Sequence, residues 1–363
     1  MKGLRKYLTP FAPDQSGAVS VLYALGGILI IIDAGGCVGN ICGFDEPRWQ
    51  DRASAIFSAG LRDMDAILGR DELLVKKLAM AAEEIDASFI ALIGTPVPAV
   101  IGTDYHALTR MAERKIKLPV LAIDTNGMEL YDRGASKTYE ELVRTFVGQQ
   151  EQGEDAQADA RYEDRKETGA QIGILGLNPL DMSDTAAEEK IRAWYRERGY
   201  SCCRIYGGAD TMSWIREGNV VEKNVVVSPS GLAAARLLER KFGIPYICEN
   251  PLGTRFAGEL DKALVHGKRV LVVDQQISAE SIRTVLERDH GAAVTTAGWF
   301  LMDPALRREG DVRLSDEDDF TELAESGNFD VIIGDPVLRR MAKHFQGTWI
   351  EKRAFSLSGK MEQ

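Results

Sequence analysis

The stretch from Ile28 to Trp49 constrains the fold of this chain more than any other part of its sequence. Five consecutive aliphatic residues, Ile28–Ile32, predict a strand that is buried on both faces, which is typical of a parallel sheet. The glycine-rich segment that follows lets the backbone turn sharply and approach a bulky group closely. Two thiols, Cys37 and Cys42, lie in that segment. The sequence therefore predicts a buried strand that delivers two cysteines to one edge of a sheet.

The same order of strand, loop and helix recurs along the chain and predicts an α/β fold with mostly parallel sheets. Helical spacing is present over residues 51–68, 71–85, 105–115, 186–198 and 231–242. Aliphatic runs predict further strands at 89–93, 119–123, 171–177, 201–206, 224–227, 246–248, 268–274, 293–297, 330–333 and 348–350. In such sheets the functional loops follow the carboxyl ends of the strands.

The length of 363 residues exceeds the size at which a single hydrophobic core usually stops growing. Residues 149–168 are polar and acidic, which is typical of a linker. We therefore predict three α/β domains, an N-terminal one over 1–150, a second over 169–266 and a third over 267–363.

The charge balance argues against nucleic acid or an anionic membrane as the main partner, although it leaves room for a local basic patch. With 44 basic and 55 acidic residues the formal charge is -11, whereas nucleic acid and anionic membranes bind to basic surfaces. The sequence contains no apolar run of 18 residues, and its start leads into Pro10 and Pro13 rather than into a signal peptide. We expect a cytoplasmic protein with no membrane contact.

Cysteine chemistry gives the main candidate site. Thiolates bind soft metals and iron-sulfur clusters, and glycines beside Cys37 and Cys42 would leave backbone amides free for cluster sulfurs. The alternative is that both are structural, which is the commoner role of a buried cysteine. Cys202, Cys203 and Cys248 follow or lie within apolar strands and are interpreted as core residues. The four histidines lack ligand spacing, which argues against a zinc site.

Two further groups are expected at the same edge of the sheet. Asp45, Glu46 and Arg48 form a dense charged group that suits docking or a redox site, or else a capped helix start with a surface ion pair. The loop that begins at Thr95 follows the second strand, and a plain strand-to-helix connection would explain it equally well. A glycine-rich dinucleotide fingerprint and a Walker A lysine are both absent, so no nucleotide is expected to bind to this chain.

Four segments of the sequence form a distinctive set: Pro10–Gly17, Asp33–Asn40, Gly43–Trp49 and Gly94–Asp104. Together they resemble the nitrogenase component 1 type oxidoreductase family. That family contains the α and β subunits of the nitrogenase molybdenum-iron protein, the dark-operative protochlorophyllide reductase subunits and shorter nitrogenase-like proteins. The resemblance implies three Rossmann-like domains with mostly parallel sheets, and a weaker similarity covers 329–336 and 354–359.

In this family the first domain supplies up to three cysteines to an iron-sulfur cluster held between two subunits, and an ATP-dependent iron protein delivers the electrons. By this resemblance Cys37 matches the central cluster cysteine, with Gly36 beside it. Val19 and Thr95 stand where the first and third cysteines would be, and Cys42 is an additional thiol. The ligands of an iron-molybdenum cofactor are not recognisable, because Lys352-Arg353 stands where relatives tend to have Pro-His.

The resemblance implies a nitrogenase-like reductase subunit that holds a 4Fe-4S cluster at a subunit interface and passes electrons to an unknown substrate between the domains. Two thiols in each chain give four in a twofold homodimer, which is the number that such a cluster needs. A heterodimer with a cysteine-richer sister subunit would also supply them. The alternative is a cluster-less scaffold or ligand-binding partner subunit in a nitrogenase-like heteromer.

Overall fold

The computed structural model describes residues 5–62, 71–148, 169–208 and 212–361. The predicted α/β fold is confirmed, because three open sheets are present and the neighbouring strands of each sheet run parallel. The predicted linker at 149–168 lies outside the described residues. Every strand predicted from an aliphatic run is present.

The strands are β1 (Ile28–Ile31), β2 (Ile56–Ser58), β3 (Ile90–Ile93), β4 (Val120–Ile123), β5 (Gln171–Leu175), β6 (Cys202–Ile205), β7 (Lys223–Val226), β8 (Tyr246–Cys248), β9 (Arg269–Val273), β10 (Ala293–Gly298), β11 (Val312–Arg313), β12 (Val331–Gly334) and β13 (Thr348–Glu351). The α-helices span Asp14–Leu22, Gly36–Asn40, Asp71–Glu84, Pro96–Ile101, Tyr105–Lys115, Tyr131–Phe146, Ala187–Arg196, Met212–Arg216, Leu232–Phe242, Pro251–Gly258, Lys262–Val265, Gln276–His290, Glu317–Ala324 and Phe355–Ser358.

The order of strands in each sheet reverses once, and this creates a crevice at the carboxyl ends of the strands. The first sheet has the order β2-β1-β3-β4, the second β6-β5-β7-β8 and the third β11-β10-β9-β12-β13. The reversals therefore lie between β1 and β3, between β5 and β7, and between β9 and β12. Ligands bind at such positions in open α/β sheets because the flanking loops leave in opposite directions.

The predicted helix over 51–68 is wrong in its described part. Residues 56–58 form β2, which pairs with the edge of β1 through Leu29 and Ile56, and 63–68 lie outside the described residues. A strand of three residues has too few positions to show alternation, and it forms here because β1 offers an unpaired edge.

The three sheets occupy residues 28–123, 171–248 and 269–351, and each sheet with its helices forms one unit. Several segments contact a unit other than the one beside them in sequence. The backbone amides of Lys6, Tyr7 and Leu8 donate to the Glu317 carboxylate in the third unit, at 2.7–2.9 Å. The helix Pro251–Gly258 packs against Gln276–His290, so it joins the third sheet rather than the second. The domain boundaries at 150, 169 and 266 stay predictions.

The helix Asp14–Leu22 is buried along its whole length between the first sheet and the helix Tyr131–Phe146. At the crossing, a Cβ added to Gly17 would lie 1.8 Å from the carbonyl oxygen of Tyr131, and one added to Gly134 would lie 1.8 Å from that of Asp14. The two backbones are therefore in direct contact, which only glycine permits.

Across the parts of the chain that the structure describes, no helix is both long and apolar enough to cross a membrane.

Candidate functional site

The two thiols lie at the reversal point of the first sheet, directly after β1. Gly35, at φ +120°, turns the chain from the strand into a short helix, Gly36–Asn40, which continues as a π-helical turn, Ile41–Asp45. The predicted sharp turn is thus confined to Gly35, and the rest of the segment is helical. Cys37 and Cys42 lie on consecutive turns of it, about 7.5 Å apart along the axis by helical rise. A π-turn inside a helix is frequent at functional sites.

Asp33 holds this helical segment against the sheet. Its buried carboxylate accepts hydrogen bonds from the backbone amides of Cys37 (2.8 Å) and Val38 (3.3 Å), and from the hydroxyl of Ser58 at the end of β2. A carboxylate at a helix N-terminus satisfies amides that lack partners within the helix. Asp33 therefore explains how a glycine-rich segment of low helix propensity forms a helix.

Both thiols are half-buried against the hydrophobic core of the first unit. Burial raises the pKa of Cys37, the nearby Asp33 carboxylate raises it further, and a hydrogen bond with Thr95 lowers it. Burial and the Glu46 carboxylate raise the pKa of Cys42. The metal-free protein therefore holds both groups as thiols at neutral pH, and binding a metal would release their protons.

Thr95 lies beneath Cys37 rather than open at the edge of the sheet. It is fully buried, its hydroxyl donates to the Ile32 carbonyl (2.8 Å), and it caps the helix Pro96–Ile101. The structure thus brings Thr95 and Cys37 together as the resemblance implies, with the hydroxyl as a hydrogen-bonding neighbour of the thiol.

The outer side of the segment faces open space. Gly36 is exposed, and a Cβ added to Gly36, Gly39 or Gly43 would have no atom within 4 Å. A bulky group could therefore approach the backbone amides beside the thiols from outside the chain.

The charged residues of the segment are bound to the first helix. Glu46 is buried and forms a bidentate ion pair with Arg48, accepting hydrogen bonds from its Nε (2.7 Å) and Nη2 (2.8 Å). Arg48 also donates to the Ser20 carbonyl (2.7 Å) and lies over the Tyr23 ring. Asp45 accepts from Ser16 (2.7 Å), and burial raises the pKa of its carboxyl. These three residues fix the orientation of the segment that carries the cysteines.

Four exposed apolar residues follow the carboxyl ends of β1, β3 and β4, at the edge of the first sheet where the thiols lie. We call them the rim patch: Phe44 (79% exposed), Val100 (85%), Ile101 and Met128 (84%). Phe44 neighbours Asp45, which contacts Ser16, and Met128 follows Gly127, whose amide donates to Asp14 (2.7 Å). Val100 and Ile101 end the helix that Thr95 caps. A contiguous patch of exposed apolar residues is typical of a surface that another molecule covers.

The donors in one chain supply only half of a 4Fe-4S site. Within the described ranges, all five cysteines are free and no group of three or more Cys, His, Asp or Glu side chains is placed to hold a metal ion. Such a cluster needs about four ligands. Cys37 and Cys42 therefore fit a cluster only when a second chain provides the other ligands.

A separate cavity of about 250 Å³ lies where the second and third sheets meet. Asp181 and Arg353 lie in its lining together with Asn250, Gln275 and Lys352, and Gln275 donates to the Val227 carbonyl (2.7 Å) across the two units. Sequence reasoning did not single out Asp181. The available signal was its place six residues after β5, at the predicted carboxyl edge of the sheet.

Asp181 is buried, and its Oδ1 accepts a hydrogen bond from the Tyr131 hydroxyl (2.5 Å). Burial raises the pKa of Asp181 to about 7, while the hydrogen bond from Tyr131 lowers it and the Asp132 and Asp274 carboxylates raise it. A carboxyl with such a pKa can hold or release a proton near neutral pH.

A hydrogen-bonded path joins this region to the cysteine segment. Ser20, which binds Arg48, donates to Asn178 Oδ1 (3.0 Å), and Asn178 also accepts from the Leu180 amide (2.9 Å). The loop after β5 that carries Asp181 is thus fixed relative to the first helix.

Comparison with solved structures shows the fold. The structure of nitrogenase Cp1 at pH 5 superimposes with a TM-score of 0.70 at 13% identity, covering 100% of this chain and 86% of that one. The structure at pH 6.5 gives a TM-score of 0.67 at 12% identity, with 97% and 87% covered.

Curated relatives share only part of their length with this chain. It is 28% identical over 197 residues to the nitrogenase iron-molybdenum cofactor biosynthesis protein NifE of Clostridium pasteurianum, which is 53% of this chain and 38% of that protein. It is 20% identical over 202 residues to a light-independent protochlorophyllide reductase subunit of Synechococcus sp. (strain JA-3-3Ab), covering 54% and 39%. The NifE of Klebsiella pneumoniae is 22% identical, and this chain spans 56% of its length.

The family model of the nitrogenase component 1 type oxidoreductases matches residues 16–264. This match covers more than half of the chain and includes the helix Asp14–Leu22 from Ser16 onward, the cysteine segment and the whole second sheet. The chain belongs to the nitrogenase component 1 type oxidoreductase family.

Proposed function

We propose that this protein is a nitrogenase-like reductase subunit that holds one 4Fe-4S cluster at a subunit interface through Cys37 and Cys42. The observation that carries the proposal is the pair of half-buried thiols on one helical segment with open space beside them and the rim patch around them. A 4Fe-4S cluster supplies one-electron transfer at low potential when bound.

The second chain in this proposal is another copy of the same protein or a related subunit with more cysteines. A twofold axis through the rim patch would bring four thiols together, two from each copy, and would cover the exposed Phe44 and Met128. Gly36 then lines the site, the buried Thr95 supports Cys37 from below, and Asp45, Glu46 and Arg48 keep the cysteine segment in position. The electron donor is an ATP-dependent iron protein, and the substrate lies between the domains.

Anaerobic reconstitution with iron and sulfide tests the proposal. We expect a brown protein with about two iron atoms per chain, the stoichiometry of one shared four-iron cluster, and a dimer by light scattering. Cys37→Ala and Cys42→Ala should lose the colour and most of the iron. Cys248→Ala, also a half-buried cysteine but in the second sheet, is the matched control and should retain both. A colourless wild-type protein would contradict the homodimer form of the proposal, and Cys37→Ala with full iron content would contradict ligation by Cys37.

The second candidate function is a cluster-less scaffold or ligand-binding partner subunit. It is favoured by the absence of any three convergent metal-binding side chains among the described residues, and by the raised pKa of Cys37, which burial and then the Asp33 carboxylate cause. The same reconstitution separates the two: a scaffold forms a heteromer through the rim patch while binding no iron itself.

A further inference from the structure

The cavity between the second and third sheets contains one cation, Arg353, that forms no ion pair with any residue that the structure describes. Its other lysines and arginines are paired: Lys190 with Asp184 (2.6 Å), Lys352 with Asp274 (2.6 Å) and Arg255 with Glu259 (2.7 Å). Within the described residues the half-buried Arg353 side chain has no ion pair and no hydrogen bond, and only its backbone carbonyl accepts, from Ser183. Desolvating a guanidinium without a partner is unfavourable, so this position favours an anion.

A second unsatisfied group lies in the same lining. Asp181 is 6% exposed, and its Oδ2 accepts no hydrogen bond from any residue that the structure describes. The Ser228 hydroxyl is close enough to lower the pKa of Asp181, but it donates to the Gly176 carbonyl (2.7 Å). Because burial raises the pKa of Asp181 to about 7, this carboxyl carries a proton for much of the time at neutral pH, and its Oδ2 has no hydrogen-bond partner among the described residues.

The rest of the lining limits the size and the polarity of a ligand. Met182, Leu252 and Phe256 give the cavity an apolar wall. Its volume of about 250 Å³ is below the range of pockets that hold drug-sized molecules. Two helices, Pro251–Gly258 and Gln276–His290, begin at the cavity, and the positive ends of their dipoles add to the field of Arg353.

We propose that this cavity binds a small organic monocarboxylate, with the ligand carboxylate paired to Arg353 and hydrogen-bonded to the Asp181 carboxyl, and its apolar body against Phe256 and Leu252. Such a monocarboxylate is the substrate class of the proposed reductase, and its role as a substrate rests on that proposed function. The binding itself needs no cluster.

A carboxylate matches the two free groups better than a phosphate does. One unpaired guanidinium balances one negative charge, and a carboxylic acid can share its single proton with one carboxylate. A phosphate carries nearly two charges at neutral pH and usually requires several cationic or amide donors. In this cavity the remaining cations are already paired.

Calorimetry and thermal denaturation with benzoate, acetate and inorganic phosphate test the assignment on the full chain. We expect benzoate to bind most tightly and to raise the melting temperature, acetate to bind more weakly, and phosphate to bind least. Arg353→Gln should weaken benzoate binding about 10- to 100-fold, and Arg353→Lys by less, because it keeps the charge but loses the two-pronged geometry. Arg240→Gln, an exposed arginine on another helix, is the matched control and should bind like the wild type.

The pH dependence of benzoate binding tests the role of Asp181. Affinity should fall as the pH rises through about 7, because Asp181 loses its proton and then repels the ligand. Asp181→Asn, which keeps a neutral donor, should bind with little change between pH 6 and 8. The ionisable groups that interact with Asp181 are Tyr131, Asp132, Tyr139 and Asp274, and the cavity lining adds Asp184, Lys190, Arg255, Glu259, Lys352 and Arg353.

Three results would overturn the assignment: no binding of either carboxylate, tighter binding of phosphate than of benzoate, or unchanged affinity in Arg353→Gln with the native melting temperature. The measurement is repeated on Cys37→Ala. Since the cavity and the cysteine segment are separate, benzoate should bind to this variant like the wild type even if reconstitution yields no cluster, so failure of one proposal is distinguishable from failure of the other.

Discussion

At the scale of single residues, the ion pair of Glu46 and Arg48 connects the cysteine segment to the rest of the first unit. The Glu46 side chain is almost completely buried, whereas that of Arg48 is 25% exposed and reaches the Ser20 carbonyl. Removing one member of a buried pair leaves the other charge desolvated and unbalanced, which costs more than the pair contributes.

Arg48→Met should therefore lower the free energy of unfolding by about 2 to 4 kcal/mol, toward the lower value because Arg48 is partly exposed. Chemical denaturation measures this directly. The double variant Glu46→Gln/Arg48→Met should recover at least half of the loss, since the buried charge is then gone as well. Equal stability of the single variant and the wild type would show that the pair is not needed to orient the segment.

The contacts of residues at the carboxyl edge of the first sheet could be predicted only in part from the sequence. The sequence places Cys37 and Thr95 after two neighbouring strands, and the parallel order of those strands brings them into contact. The part played by Asp33 was not predictable, because it depends on a carboxylate meeting two helix amides and the Ser58 hydroxyl on another strand. Asp181 was not predictable for the same reason, since its burial results from the packing of three units.

At the scale of elements, the crossing of the helices Asp14–Leu22 and Tyr131–Phe146 determines where the cysteine segment lies. The first helix supplies both Ser16, which binds Asp45, and Ser20, which binds Arg48. Backbone contact at Gly17 and Gly134 sets the distance between the two helices. A side chain at the crossing would move the first helix and everything bound to it.

Gly134→Ala should cost about 2 to 3 kcal/mol of stability, the penalty of inserting a methyl group where no space exists. A Cβ at this position would lie 1.8 Å from the backbone oxygen of Asp14, which cannot move without its helix. Gly258→Ala is the matched control, because its Cβ would meet no atom within 4 Å, and it should change stability by less than about 0.5 kcal/mol. Urea denaturation of both variants measures the difference, and a Gly134→Ala protein as stable as the control would refute the close contact.

The elements that the sequence did not predict are those that depend on their neighbours. Long aliphatic runs such as Ile28–Ile32 identify buried strands because their pattern is local. The edge strands β2 and β11, of three and two residues, exist only through pairing with β1 and β10. The helix at Gly36–Asn40 contradicts local propensity, which glycine lowers, and forms because Asp33 accepts from its first turn.

At the scale of the whole molecule, the three units meet around the loop after β5. Asn178 in this loop contacts Ser20, Asp181 contacts Tyr131, and the Leu180 carbonyl accepts from the Ser356 amide near the C-terminal end (2.9 Å). The loop therefore joins the first and third units to the second. Its single buried carboxyl should make the stability of the assembled fold depend on pH.

Asp181 should destabilise the folded protein as the pH rises. Burial raises its pKa to about 7 in the folded chain, whereas an unfolded Asp titrates near 3.9, so between these values the folded state holds a proton that the unfolded state has released. Folding is then linked to proton uptake, and the free energy of unfolding falls as the pH increases from about 4 to 7.

Asp181→Asn removes this pH-dependent contribution, so its stability relative to the wild type should increase by about 2 to 3 kcal/mol between pH 5 and pH 8. Melting temperatures across this range measure the difference, with the exposed Asp289→Asn as a control that should follow the wild type. Parallel profiles for Asp181→Asn and the wild type would mean that water reaches this carboxyl and that the three units do not seal it from solvent.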